Sequence, residues 1–146
     1  MPKDDRLIFL LSKAQHKLAT YLKKTLADKG IKVTGVQTGI LFLLKHKSQT
    51  MTELSKELSI DNSAITGLVD RLERSGFARR EMNPSDRRTF LISITDLGLA
   101  EIEKAKTIVH AVNADIKRDF SEEEVEVFKR ILQSMLTKFE YSSIPN

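Results

Sequence analysis

Residues 52–95 read TELSKELSIDNSAITGLVDRLERSGFARREMNPSDRRTFLISIT, and the spacing of their apolar residues changes along the stretch. In the segment from Asp61 to Phe77, Ile65, Leu68, Val69 and Leu72 fall at i, i+3, i+4 and i+7, the spacing of one buried helical stripe. Before it, Leu54 and Leu58 give a short helix an inner face, with Thr52 as the expected cap of residues 53–58. Gly76 suits the left-handed position just past a helix end. Beyond it a period of two takes over, with Phe90, Ile92 and Ile94 alternating with Leu91, Ser93 and Thr95. Residues 77–82 and 89–95 are the expected strands, joined by the turn formers Asn83, Pro84, Ser85 and Asp86. Helix, turn, helix and hairpin in this order predict a winged helix-turn-helix, with one apolar strand face packed on a helix.

The second helix buries one side and so turns the other outward. At about 100° per residue from Ile65, the far side collects Ser63, Thr66, Gly67, Asp70 and Arg74, with Arg71 toward one edge. Short polar side chains at the leading end let a backbone approach base edges in a major groove, and cations further along suit phosphates. An ordinary amphipathic surface helix, with Asp70 and Arg74 as an i,i+4 pair worth about 0.2–0.5 kcal/mol, reads equally well from this helix alone. The arginines shift the balance. Of nine in the chain, Arg71, Arg74, Arg79, Arg80, Arg87 and Arg88 lie in this helix and hairpin. Guanidinium matches phosphate oxygens in a bidentate fork and enters narrow minor grooves, which is a reason to prefer it over lysine here.

The run LVDRLERSGFARREMNPSDRRTFLISITDLG, residues 68–98, resembles the signature of the MarR (multiple antibiotic resistance regulator) family, and the helices on either side fit the family order along nearly the whole chain. The resemblance implies a homodimeric winged-helix transcription regulator that binds pseudo-palindromic promoter DNA, usually as a repressor. It makes Asp86-x-Arg88 the wing motif, in which the aspartate braces nearby arginines and Arg88 reaches DNA. Gly67 departs from the pattern, since many members carry a longer polar or basic residue there. On this reading Asn62, Ser63 and Thr66 contact bases, Arg71, Arg74, Arg80 and Arg87 hold phosphates, and Arg88 probes the minor groove.

The remaining chain is mainly helical. Residues 5–29 carry Leu7, Leu11, Ala14, Leu18, Tyr21, Leu22 and Leu26 on one stripe, with Gly30 as the stop. Thr34 and Gln37 form a capping-box pattern opening a helix through Ile40, Leu41, Phe42, Leu43 and Leu44, apolar on most sides. Asp61 or Asn62 caps the reading helix, and Thr95 caps a helix through Leu99, Ile102, Ala105, Ile108, Val109, Val112 and Ile116. Ser121 and Glu124 make a second capping box, followed by Val125, Phe128, Ile131, Leu132, Met135, Leu136 and Phe139 at helical spacing. One such helix before the core and two after it leave more apolar surface than a small winged domain covers, so burial between two copies is expected. The predicted division is residues 1–32 and 96–146 for dimerisation and 33–95 for DNA binding. Family resemblance places a regulatory ligand, an aromatic or phenolic effector, near the junction, where Phe9, His16 and Phe42 are candidate lining residues; plain core packing explains each of them as well. The last residues, EYSSIPN, read as a tail.

Composition bounds the alternatives. The chain of 146 residues is 40% apolar and 30% charged, the balance of a folded domain. Without cysteine it has no disulfide, thiolate metal site or cysteine-based peroxide sensor. His16, His46 and His110 lack metal-ligand spacing, so neither metal nor cofactor is assigned. No long apolar run is present, and a cytoplasmic protein without a membrane segment is expected. The net charge of +4 is too small to argue for nucleic acid by itself; residues 61–95 hold six basic and five acidic side chains, so the case rests on where the arginines point. No nucleophile with a paired base and no glycine-rich phosphate loop is visible, which disfavours an enzyme. A winged-helix module that binds protein and not DNA is the alternative, and it requires an exposed apolar patch on the reading helix or wing.

Overall fold

The computed structural model describes residues 6–140, and the expected tail from Tyr141 onward lies outside them. The elements are α1 (Leu7–Asp28), α2 (Gly35–His46), α3 (Met51–Leu58), α4 (Asn62–Arg74), β1 (Ala78–Met82), β2 (Phe90–Ile94), α5 (Asp96–Lys117) and α6 (Glu122–Lys138). This is the predicted mainly α architecture with a small β-hairpin. The chain forms two compact units, Met1–Val109 and His110–Asn146.

In the first unit the core is assembled around α2, whose Ile40, Leu41 and Leu44 are buried with Leu54 of α3, Ile65, Val69 and Leu72 of α4, Ile92 of β2 and Ile102 of α5. The apolar run of α2 is therefore a core helix that meets neighbours on several sides. Its start is fixed by the predicted capping box, in which Thr34 Oγ1 accepts from the Gln37 N–H at 3.2 Å and Gln37 Oε1 accepts from the Thr34 N–H at 3.0 Å. Gln49, after α2, exchanges two backbone hydrogen bonds with Ile92, tying the hairpin to the end of the core helix. Buried Glu101 accepts from the Lys32 N–H at 2.9 Å and so fastens α5 to the segment between α1 and α2.

Two expectations are corrected. The cap of α3 is Thr50, whose side chain accepts from the Glu53 N–H, and Thr52 lies inside the helix. Thr50-x-x-Glu53 carries the Ser/Thr-x-x-Glu pattern at the helix start, and Thr52 lacks it. The second concerns the apolar strand face. Ile92 is fully buried, but Phe90 is 51% exposed and pairs across the hairpin with Met82, which is 62% exposed. The strands run past the helices they pack on, so the distal pair has no body beneath it.

The turn between α3 and α4 is closed by Ser59 in the left-handed conformation, φ 54°, and by the Ser55 hydroxyl donating to the Ile60 carbonyl. Gly76 ends α4 at φ 81°, as its position suggested. Thr95 then joins both ends of the hairpin to the body. Its hydroxyl donates to the Gly76 carbonyl at 2.5 Å and accepts from the Gly98 N–H at 3.1 Å, capping α5 as expected.

The second unit is a helical hairpin made by the end of α5 and α6. Ser121 and Glu124 cap α6 reciprocally, and the acidic first turn, residues 122–124, lies at the positive end of the helix dipole. Between the helices lies an apolar groove of about 650 Å³, lined by residues that include Ile116, Phe120, Val125, Phe128 and Ile131.

Candidate nucleic-acid interface

The reading helix α4 presents the predicted polar face. Asp61 is its cap, accepting from the Ala64 N–H at 2.8 Å, and Asn62 is its first helical residue. That bond, together with the Ser63 hydroxyl donating to the same carboxylate at 2.9 Å, holds the Asp61 carboxyl below its ordinary pKa. The Thr66 hydroxyl donates to the Asn62 carbonyl at 2.8 Å. Both hydroxyl protons are thus used within the molecule, which leaves the oxygens of Ser63 and Thr66 as acceptors, suited to exocyclic amino groups of bases. Asn62, Ser63 and Thr66 are all exposed.

Gly67 lies on the same face. A Cβ built there would meet only the Arg71 guanidinium, at 3.8 Å, so packing within the molecule does not require glycine at this position.

The six arginines fall into different settings. Arg80 on β1 is held by Asp70, and its Nε lies 3.5 Å from Glu73 Oε1; its own N–H donates to Glu73 Oε2 at 3.2 Å. Two carboxylates of the reading helix therefore grip the base of the wing. Asp70 is committed to Arg80 and not to Arg74, so the i,i+4 pair expected from spacing is absent; Arg74 Nε instead approaches the Asp70 carbonyl at 3.5 Å. Arg79 pairs with Glu81 at 2.8 Å. Arg71, Arg74 and Arg87 are exposed and form no ion pair among the described residues.

At the wing tip, Asn83 builds the turn, its side-chain oxygen accepting from the Ser85 N–H and its amide donating to Thr89 Oγ1, each at 3.0 Å. Asp86 accepts from both the backbone N–H and the Nε of Arg88 at 3.1 Å. The Arg88 guanidinium beside Asp86 holds that carboxyl below its ordinary value. Arg88 is nevertheless 90% exposed, so it is a braced cation on a hydrogen-bonded turn.

Phe9 and His16 are exposed on α1, with Arg6 and Lys13 over the Phe9 ring, and Phe42 is half-buried on α2. A concavity of about 410 Å³ in this unit is lined by other residues, from the start of α2 and the end of α4. Sequence reasoning missed that concavity and the Asp70–Arg80–Glu73 grip, because both join residues of different elements, which periodicity within one element does not report.

Comparison with known proteins agrees with this geometry. The MarR family profile matches residues 33–90. The chain is 26% identical over 132 residues to the HTH-type transcriptional regulator BilQ of Clostridioides difficile (strain CD3), covering 90% of this chain and 86% of that protein. It is 34% identical over 94 residues to the uncharacterized HTH-type transcriptional regulator YwhA of Bacillus subtilis (strain 168), covering 61% of this chain and 68% of that protein. Among solved structures, a mutant MarR from E. coli complexed with operator DNA superposes with a TM-score of 0.81 at 27% identity, over 90% of this chain and 94% of that one. On its winged helix, its wing motif and these likenesses, the chain belongs to the MarR family of transcriptional regulators.

Proposed function

We propose that the protein represses transcription as a homodimer bound to pseudo-palindromic promoter DNA in the cytoplasm, without enzymatic activity. The observation that carries this reading is the pairing of a capped helix exposing Asn62, Ser63 and Thr66 with a wing exposing an Arg88 braced by Asp86. In a dimer the two α4 helices enter successive major grooves about 10 bp apart, and the wings reach the flanking minor grooves. Arg71, Arg74 and Arg87, without carboxylate partners among the described residues, neutralise phosphates. Arg80, gripped by Asp70 and Glu73, chiefly fixes the wing against the helix.

Residues 1–32 and 96–146 supply the dimerisation helices. Leu7, Ile8 and Phe9 on α1 and Phe128, Ile131 and Leu136 on α6 are exposed apolar residues that a second copy would cover. A small aromatic or phenolic effector releases DNA by favouring a dimer whose recognition helices are differently spaced, to the extent that it binds that state more tightly.

Met82 and Phe90 give the protein-binding alternative its one support, an exposed apolar pair on the wing. The outward face of α4, which such a partner would also use, is polar. Titration of the protein against its own upstream promoter and a random duplex of equal length, across salt, separates the two. Promoter preference with steep salt dependence is expected; no binding to either duplex at low salt overturns the regulator in favour of the protein-binding module.

A further inference from the structure

The concavity between the start of α2 and the end of α4 has a one-sided charge. Lys32, Arg71 and Arg74 line it, no carboxylate does, and none of these cations has an ion pair among the described residues. Thr34 and Ser75 also line it, and both hydroxyls have a proton to give: Thr34 Oγ1 only accepts, from Gln37, and Ser75 Oγ makes no hydrogen bond among those described. Buried Phe77 contributes to its floor. Buried Glu101, which holds the Lys32 backbone, is not among the lining residues, so the lysine side chain stays available. Three cations and two hydroxyl donors around one hollow, with no acceptor of negative charge opposite, are complementary to a tetrahedral oxyanion.

We infer that this hollow is a phosphate seat, built from Lys32, Arg71, Arg74, Thr34 and Ser75. The hollow, about 410 Å³, has room for a phosphate carried on a larger body. That body is either the DNA backbone, which rests on the reading proposed above and extends the footprint to the segment before α2, or a phosphorylated small molecule. A small molecule there would compete with DNA for Arg71 and Arg74.

The test uses the full chain and Lys32→Ala, with Lys32→Arg as the charge-retaining control. Lys32 is exposed and keeps its backbone bond to Glu101 in both variants, so the fold is preserved. In one arm, affinity for a random duplex is followed across salt. In the other, inorganic pyrophosphate is titrated without DNA while backbone amide NMR shifts are recorded. A salt slope reduced by about 0.9 in Lys32→Ala and restored in Lys32→Arg assigns the seat to a DNA phosphate. An unchanged slope, with saturable pyrophosphate shifts at residues 32–37 and 71–77 that vanish in Lys32→Ala, assigns it to a free phosphorylated ligand. An unchanged slope with no saturable shifts overturns the seat. If the wild type binds no DNA at any salt, the regulator reading fails, and the pyrophosphate arm still decides the seat.

Discussion

At the scale of single residues, the wing and the reading helix separate two uses of a side chain. Arg88 is held by one carboxylate and otherwise open, so replacing it by Ala should weaken promoter binding and lower the salt slope by about one, as measured by anisotropy across ionic strength. An unchanged slope would remove it from the DNA contact. The brace has a definite pH behaviour. Because Arg88 depresses the Asp86 pKa, the contribution of the pair is complete above the ordinary value of 3.8 and is lost only as pH falls through the lower folded value. The Asp86 carboxyl carbon, followed by NMR, should therefore titrate below 3.8, and Arg88→Ala should move that midpoint up. Gly67 gives a two-signed case. Mid-helix glycine costs about 0.8–1 kcal/mol relative to alanine, and nothing inside the molecule needs it. Gly67→Ala should raise the melting temperature by a few degrees yet reduce promoter affinity if α4, with no side chain here, docks closer to the groove floor than in members with a longer residue; affinity held at wild-type level would mean that the position is open to solvent in the complex.

At the scale of elements, what could be read from sequence was local chemistry. The capping boxes at Thr34 and Ser121, the stop at Gly76 and the stripe of α4 each depend on residues within one turn or two; the caps and the stop stand, and of the stripe Ile65, Val69 and Leu72 are buried while Leu68 is half-buried. The cap at Thr50 is equally legible, since Glu53 follows it by three, whereas Thr52 has Ser55 at that spacing. What was hidden is tertiary. Spacing along α4 pairs Asp70 with Arg74, but the hairpin brings Arg80 to the same carboxylate, and no periodicity within one element reports that. The exposure of Phe90 was hidden for a similar reason, because alternation says which face a residue shares and not how far the supporting body extends. Gly98, at the start of α5, is a further tertiary demand. A Cβ there would collide with the Phe77 carbonyl oxygen and lie 2.8 Å from Ile94 Cγ1, where α5 meets the base of the hairpin. Gly98→Ala should thus cost about 1–3 kcal/mol in chemical denaturation, and a loss of under a few tenths would show that α5 can shift freely.

At the scale of the molecule, the described surface carries more exposed apolar side chains than a monomer of this size needs. Phe128 and Ile131 of α6 are 49% and 53% exposed and line the apolar groove of the second unit, while α1 exposes Leu7 and Ile8 more fully still. Exposed apolar side chains of this size suit an interface, and two copies joined through the α6 face would carry two reading heads. Dimerisation and DNA affinity are then linked, because a monomer contacts one half-site and gives up the second set of phosphate contacts. Ile131→Glu puts a charge in the middle of the exposed α6 face. It should shift the protein toward monomer in sedimentation equilibrium at micromolar concentration, reduce promoter affinity by at least tenfold, and leave the melting of the first unit near that of the wild type. A dimer that persists with unchanged affinity would move the interface away from α6. A monomer that still binds promoter as tightly as the wild type would break the link between pairing and recognition.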